Sequence, residues 1–258
     1  MCAERVSAPS VRLVVMSRAP VPGRTKTRLI PAFGGAAAAA FHAACLADVL
    51  SEGEAWCRAG AGRGQARALT LCAGPAQRWT DFARAGIVLP PGAALAVQRG
   101  GTLGARMAGA LKEALAGADT ALLVGSDLPL LSRAHLDAAA AALLDGKAEG
   151  RADAVLGPAE DGGYYLIGAR RGAERWPELL DLEHWGTATV LQRTLDKAGR
   201  IGLKVAQIEP LPDADTPEDL GRILRHPQAA ASLHRSVALA RRLLGSPPPL
   251  VTKDRYPS

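Results

Sequence analysis

Asp127 stands in the segment Gly125-Ser126-Asp127-Leu128-Pro129, directly after the apolar run Thr120–Val124. That run has the length and composition of a short buried parallel strand. A lone carboxylate therefore follows the C-terminal end of a strand, the end at which open α/β sheets bind ligands. Pro129 stops further strand pairing, and Ser132 is of a type that caps the next helix. An Asp in this place is suited to hold a divalent metal against a nucleotide diphosphate. It is equally suited to cap a turn.

A second chemical signal lies near the start. The β-branched run Val11–Met16 reads as a first buried strand, and it leads into Ser17-Arg18-Ala19-Pro20-Val21-Pro22-Gly23-Arg24-Thr25-Lys26-Thr27-Arg28-Leu29. The prolines and the glycine keep this stretch from being a helix. Arg18, Arg24, Lys26 and Arg28 fall within eleven residues. In an extended loop the last three would share one side. Cations after the first strand of an α/β sheet suit a pyrophosphate, although a plain solvated basic loop has the same composition. The spacing is neither that of a P-loop nor that of a dinucleotide fingerprint.

Two acidic segments follow. In Gly157–Gly168, Glu160 and Asp161 precede Gly162-Gly163 and Tyr164-Tyr165, between a strand at Asp153–Leu156 and another at Tyr164–Ile167. The carboxylates are of a type to act as a general base or to hold sugar hydroxyls, and the glycines allow close approach of a ligand. Asp-Gly is also a hairpin turn signal. In Asp213–Leu220, Thr216, Pro217 and Asp219 read as an N-cap, a first helical residue and the third residue of a capping box. Asp213 and Asp215 are left without a structural task, at the mouth of the sheet after a strand expected at Ile201–Ile208.

The elements that must position these groups alternate. The sequence predicts helices at Gly35–Trp56, Gln77–Ala85, 103–115 capped by Thr102, 132–144 and 187–198 capped by Thr187. Strands are expected at Ala68–Cys72, Ala94–Gln98, 120–125 and 153–157. Such alternation predicts a three-layer α/β/α fold with a mostly parallel central sheet, and a hairpin makes the Tyr164–Ile167 strand antiparallel. His42 reads as a packed or surface residue of the alanine-rich first helix. Gln228–Leu244 reads as one amphipathic helix with Leu233, Val237, Ala240 and Leu244 on one face, covering the sheet edge or serving a homodimer contact. One domain is expected at 11–227, with the helix 228–245 on it and flexible termini at 1–10 and 246–258.

The segments A-P-V-P-G-R-T-K-T-R-L, G-S-D-L-P, G-P-A-E-D-G-G-Y-Y-L-I-G, W-G-T and D-A-D-T-P-E-D-L, in this order from about Val11 to about Leu224, resemble a bacterial family of GT-A-like nucleotide-diphospho-sugar transferases. Its members are known as glycosyltransferases or domains of unknown function, some linked to arsenosugar biosynthesis. The wider superfamily includes molybdenum-cofactor guanylyltransferases. The resemblance implies a Rossmann-like GT-A fold. It implies that Arg18, Arg24, Lys26 and Arg28 face the donor's phosphates, with Gln98 and Arg106 near the nucleotide. It implies that Asp127 is the principal Mg²⁺ or Mn²⁺ ligand, with Asp215 (or Asp213) as the second. Glu160 and Asp161 would act at the acceptor, beside Gly162, Gly163, Tyr164 and Trp185. Gly125 stands where the usual D-x-D has its first Asp.

Composition narrows the partners. The chain has 258 residues and a net charge of +6. Its basic residues are spread out, and its Trp, Tyr and Phe are few and not interleaved with cations, so no nucleic-acid partner is expected. No membrane span is expected, and the N-terminus lacks the apolar core of a secretory signal. Cys2, Cys45, Cys57 and Cys72 form no C-x-x-C and suit free thiols in a cytoplasmic protein. The reading is a metal-dependent glycosyltransferase moving a sugar from a nucleotide-sugar to a small-molecule acceptor. Two alternatives are a nucleotidyltransferase that releases pyrophosphate from a nucleoside triphosphate and a non-catalytic nucleotide-binding protein.

Overall fold

The computed structural model describes residues 8–144, 150–230 and 232–245. Of the termini expected to be flexible, 1–7 and 246–258 lie outside the described residues, as does Cys2. The strands are β1 (Ser10–Ser17), β2 (Ala66–Ala73), β3 (Ala94–Val97), β4 (Thr120–Val124), β5 (Ala154–Pro158), β6 (Tyr164–Arg170) and β7 (Val205–Gln207). They form one sheet in the order β3-β2-β1-β4-β6-β5-β7. All neighbours are parallel except β6, which runs antiparallel to both β4 and β5. The α-helices are α1 (Ile30–Gly60), α2 (Trp79–Arg84), α3 (Leu103–Ala116), α4 (Arg133–Leu144), α5 (Val190–Ile201), α6 (Pro217–Arg225), α7 (Pro227–Ala230) and α8 (Arg235–Leu243).

The strands bury both faces, as a sheet between two helical layers must. Along β1, Val11, Leu13 and Val15 join one core with Phe41, Leu46, Leu50 and Trp56 of α1 and Leu136 and Leu143 of α4. Val14, facing the other way, joins Met107, Leu111 and Leu115 of α3 and Trp176. The alternation repeats in β4, where Leu122 and Val124 face the first core and Ala121 and Leu123 the second. This is the period of two that a pleated strand imposes. β1 lies between β2 and β4, so the order reverses there and opens a crevice at the strands' C-terminal ends.

By length and composition alone, the segment Thr27–Arg63 would pass as a membrane span. In this fold it carries the core, with Phe41, Leu46, Leu50 and Trp56 fully buried. The strand expected at Ile201–Ile208 is only Val205–Gln207, because Ile201 completes α5 and Gly202, at φ 70°, ends that helix in the left-handed conformation. Helix α5 starts at Val190, and the Thr187 hydroxyl pairs with that of Thr189 at 3.1 Å in place of capping it. Ser132, in contrast, stands directly before α4 as expected of its cap, its N–H donating to His135 Nδ1 at 3.1 Å and its hydroxyl 2.8 Å from the same nitrogen.

The helix expected at Gln228–Leu244 is broken. α7 ends at Ala230, and α8 begins only after His234, whose backbone is extended. The cause lies in α1. The buried Asp48 carboxylate accepts from the backbone N–H groups of Arg235 (3.0 Å) and Ser236 (2.8 Å) and from the Ser236 hydroxyl. A carboxylate at those orphan donors starts a new helix there. Val237 and Ala240 are buried beneath it, whereas Leu233 is 96% exposed.

Candidate functional site

A cavity of about 550 Å³ opens at the crevice. The elements around it divide by the order of the sheet. From the β1–β3 side come Ser17 and Arg18 after β1, Gln98 after β3, and Leu103, Arg106 and Met107 of α3. From the β4–β7 side come Gly125, Ser126 and Asp127 after β4, Asp161 and Gly163 of the β5–β6 hairpin, and Asp213 and Asp215 of the loop after β7. β6 runs antiparallel, so its turn lies at the same end as the parallel strands' C-termini and adds its acid to the cavity.

Lys26 joins the two sides. Its Nζ lies 2.9 Å from Asp215 Oδ1 and 3.0 Å from Asp127 Oδ2. The lysine side chain is only 2% exposed, whereas those of Asp127 and Asp215 are 44% and 49% exposed. Burial by itself would lower the Lys26 pKa, but Asp127 and Asp215 outweigh it and hold the ammonium above its ordinary value. Burial would likewise raise Asp127, but Lys26 and then His42 bring it below the carboxylate range. Lys26 and Asp127 are both ionised at neutral pH.

The loop that delivers Lys26 is not extended, so the expected shared face of Arg24, Lys26 and Arg28 does not form. Arg24 N–H bonds to Val21 O at 3.0 Å in a turn, with Gly23 at φ 78°. Lys26 is itself left-handed at φ 49°, and a 3₁₀ turn at Thr27–Leu29 follows. Arg24 consequently lines a different hollow, against Ala36, Ala40 and Ala43 of α1. Arg28 stays at the rim, 72% exposed and 3.6 Å from Asp215.

His42, expected to be only packed or exposed, is buried and faces this cavity. Its Nε2 lies 3.1 Å from Ser126 Oγ, 3.4 Å from Ser17 Oγ and 3.5 Å from Asp127 Oδ1. Burial holds it below the ordinary imidazole value. The signal that could have found it is its place among Phe41, Cys45, Leu46 and Val49, the buried stripe of α1. The apolar wall of Met16, Leu103, Met107, Leu123 and Ile167 also had no sequence signal of its own.

The hairpin acids part company. Asp161 lines the cavity, its Oδ1 accepting from Gly163 N–H at 2.7 Å. Asp161 N–H in turn donates to Asp213 Oδ2 at 2.8 Å. Burial, together with Asp161, pushes the Asp213 carboxyl up to about 6. Glu160 instead turns to Arg222 of α6, 3.9 Å away. Gly162, at φ 86°, has no room for a side chain, because a Cβ would stand 2.0 Å from Ala188 O. Tyr164 lines the cavity, and Trp185 stands behind it in an edge contact at 6.2 Å. The Gln98 amide donates to Cys72 O at 3.1 Å, which fixes it across the ends of β1 and β2. Arg106 lines the same side. The predicted capping box is present: Thr216 Oγ1 accepts from Asp219 N–H, and the buried Asp219 carboxylate accepts from Thr216 N–H at 2.8 Å and Asp215 N–H at 3.0 Å. It therefore fixes the backbone that carries Asp215.

Asp127 Oδ1 is shielded from solvent and has no hydrogen-bond partner. An acceptor oxygen in that state, on a carboxylate beside a second one, fits a hard cation. Among the described residues there is no group of three or more His, Cys, Asp or Glu arranged to hold a metal. The pair is the donor set expected of an ion that is bound by one or two carboxylates and otherwise by substrate phosphates and water.

The fold agrees with what is found among known proteins. Over 90% of its length, the chain aligns with 97% of a protein of Desulfovibrio desulfuricans G20 described as a "putative nucleotide-diphospho-sugar transferase", at 30% identity and a TM-score of 0.73. More distant structures include 4-diphosphocytidyl-2C-methyl-D-erythritol synthase of Anaerococcus prevotii DSM 20548, at 9% identity, with 82% of this chain and 95% of that one covered and a TM-score of 0.49. They also include glucosyl-3-phosphoglycerate synthase of Mycobacterium tuberculosis in complex with Mn²⁺, UDP and glucosyl-3-phosphoglycerate. That match has 14% identity, covers 93% of this chain and 81% of the other, and has a TM-score of 0.46. No curated protein matches the sequence. Residues 59–187 match the family described as "Uncharacterized protein conserved in bacteria (DUF2064)", and with the nucleotide-diphospho-sugar transferase fold around its cavity the chain belongs to that bacterial family.

Proposed function

We propose that the protein is a glycosyltransferase that moves a sugar from a nucleotide-diphosphate donor to the hydroxyl of a small acceptor. The observation that carries this reading is the division of the cavity. Arg18, Gln98 and Arg106 lie on the β1–β3 side, and Asp127, Asp161, Asp213 and Asp215 on the other, with Lys26 at the seam. The first side suits a nucleotide and its phosphates. The second suits hydroxyl groups, and it would repel an acceptor that already bears a phosphate.

In this reading Lys26 and Arg18 bind the diphosphate and stabilise the charge that grows on it as the sugar leaves. Asp161 accepts a hydrogen bond from the acceptor hydroxyl, orients it and takes its proton. Asp127 and Asp215 would hold a divalent ion, Mg²⁺ or Mn²⁺, which would supply further neutralisation of the diphosphate. Tyr164 and the apolar wall would exclude water from the reacting centre. Cys45, Cys57 and Cys72 are free, which suits a cytoplasmic setting.

One observation favours a second reading. Asp127 and Asp215 are brought together on one ammonium, as transfer of a nucleotidyl group with release of pyrophosphate would require. A thermal-shift panel with Mg²⁺ or Mn²⁺ separates the two. It compares UDP-, GDP- and ADP-sugars and the diphosphates with the ribonucleoside triphosphates. Stabilisation by one nucleotide-sugar and its diphosphate is the expected result. Stabilisation confined to one triphosphate, followed by release of pyrophosphate, would replace the first reading with the second.

A further inference from the structure

The cation between Asp127 and Asp215 is inserted from behind. Lys26 is almost wholly buried, and the carboxylates it bridges are about half open to the cavity. The fold holds it there firmly. Thr25 and Leu29 on either side are buried, Leu29 N–H bonds to Lys26 O at 2.9 Å, and Lys26 takes a left-handed backbone that, among the described non-glycine residues, only Ala76 shares in sign of φ. Such a backbone is unfavourable for a residue that bears a Cβ, and here it aims one ammonium at two acids. A second cation approaching those acids meets the ammonium's positive charge within a few ångströms.

We propose that Lys26 is a resident counter-ion that makes entry of the divalent cation conditional on the nucleotide, an inference that rests on the transferase reading of the cavity. With no phosphate present, the ammonium satisfies Asp127 and Asp215 and repels the metal. A phosphate oxygen that accepts from Nζ screens that charge and releases the carboxylates towards the metal. The metal and the nucleotide then favour each other's binding by the same factor, as linkage demands. No bond is made or broken; the ammonium exchanges partners.

The test is direct Mn²⁺ binding to the full chain, followed by the loss of the free-ion electron paramagnetic resonance signal. Without nucleotide, wild type and Lys26→Arg should bind Mn²⁺ weakly. Lys26→Met and Lys26→Gln, which keep bulk but remove charge, should bind it about tenfold more tightly or better. Adding Asp127→Asn to Lys26→Met should abolish the gain. In wild type, UDP or GDP should tighten Mn²⁺ by a similar factor. Equal or weaker Mn²⁺ binding by folded Lys26→Met and Lys26→Gln would overturn the proposal. So would wild type that binds Mn²⁺ as tightly alone as with the nucleotide that stabilises it. The arm with Mn²⁺ alone separates this inference from the function. A gain in Lys26→Met, in a protein that no nucleotide stabilises, would keep the ammonium as the counter-ion that excludes the metal but sink the transferase, and with it the nucleotide's part in the proposal.

Discussion

Two pairs of carboxylates face one cavity and have opposite surroundings. Asp127 and Asp215 share a buried ammonium, which keeps Asp127 below the ordinary carboxylate range. Among the described residues the hydrogen bonds to Asp161 and Asp213 come from backbone N–H groups, and burial with repulsion from Asp161 pushes Asp213 up to about 6. The residue type is the same, the loops are neighbours, and one lysine makes the difference. Acidity in this site is a property of what stands beside each carboxyl, and in the proposed function the compensated pair would serve the cation and the phosphates and the uncompensated pair the acceptor hydroxyl.

The comparison breaks most visibly if the compensation is removed. Asp127→Asn with Asp215→Asn leaves the Lys26 ammonium buried and unpaired. Urea denaturation should show a loss of about 3 kcal/mol or more, exceeding the sum of the single changes. Small, additive losses would mean that Lys26 does not depend on the pair. Asp127→Asn alone, with Asp215 still on the lysine, should keep the fold by circular dichroism and lower turnover about 10²-fold or more. Retention of full rate would remove Asp127 from the mechanism.

The comparison sharpens if the charge balance is shifted. Nothing lies within 4 Å of a Cβ built on Gly125, which lines the cavity. Gly125→Asp should therefore fold, restore a D-x-D pattern and tighten Mn²⁺ several-fold in a binding titration, about a kcal/mol in effect. Unchanged affinity would show that position 125 does not reach the ion.

The uncompensated pair makes a smaller, signed prediction. Asp213 has a raised pKa in the folded state, so its contribution to stability is present below the ordinary value of 3.8 and is lost as pH rises through about 6. In metal-free buffer, wild type should lose stability relative to Asp213→Asn across that window, and the two curves should run parallel above it. A constant difference at every pH would place Asp213 outside the buried environment. The smallest effect is expected from Arg24→Ala. Its side chain belongs to the other hollow, and both stability and nucleotide binding should stay within about 0.5 kcal/mol of wild type. A clear loss of nucleotide affinity would return Arg24 to the phosphate site.

Much of this was legible from local pattern. The apolar runs of β1, β2 and β4 and the capping box of α6 depend on neighbours in sequence, and the structure has them where those neighbours put them. Asp127 was legible from its place just past a strand end, and Asp215 because the cap beside it leaves it no structural task. What failed depends on contacts far along the chain. Asp48 divides the last helical stretch from 188 residues away, and the left-handed turn at Lys26 is chosen by two acids that meet only in the folded state. His42 was hidden by its setting, because on an alanine-rich helix a buried histidine and a packed one have the same spacing.

The Gly162 turn has a consequence for how this cavity can change over generations. Its backbone is pressed against Ala188, and its carbonyl accepts from Leu191 N–H at 2.9 Å. The hairpin that carries Asp161 is thereby keyed to the segment leading into α5, a stretch that forms no part of the sheet. Insertions or exchanges around 182–189 would re-aim Asp161 without disturbing β1, β2 and β3 on the far side of the cavity. If the protein is the glycosyltransferase proposed above, acceptor choice could drift in such a scaffold while donor recognition is inherited unchanged, and relatives with one nucleotide and many acceptors are the lineage this joint would produce.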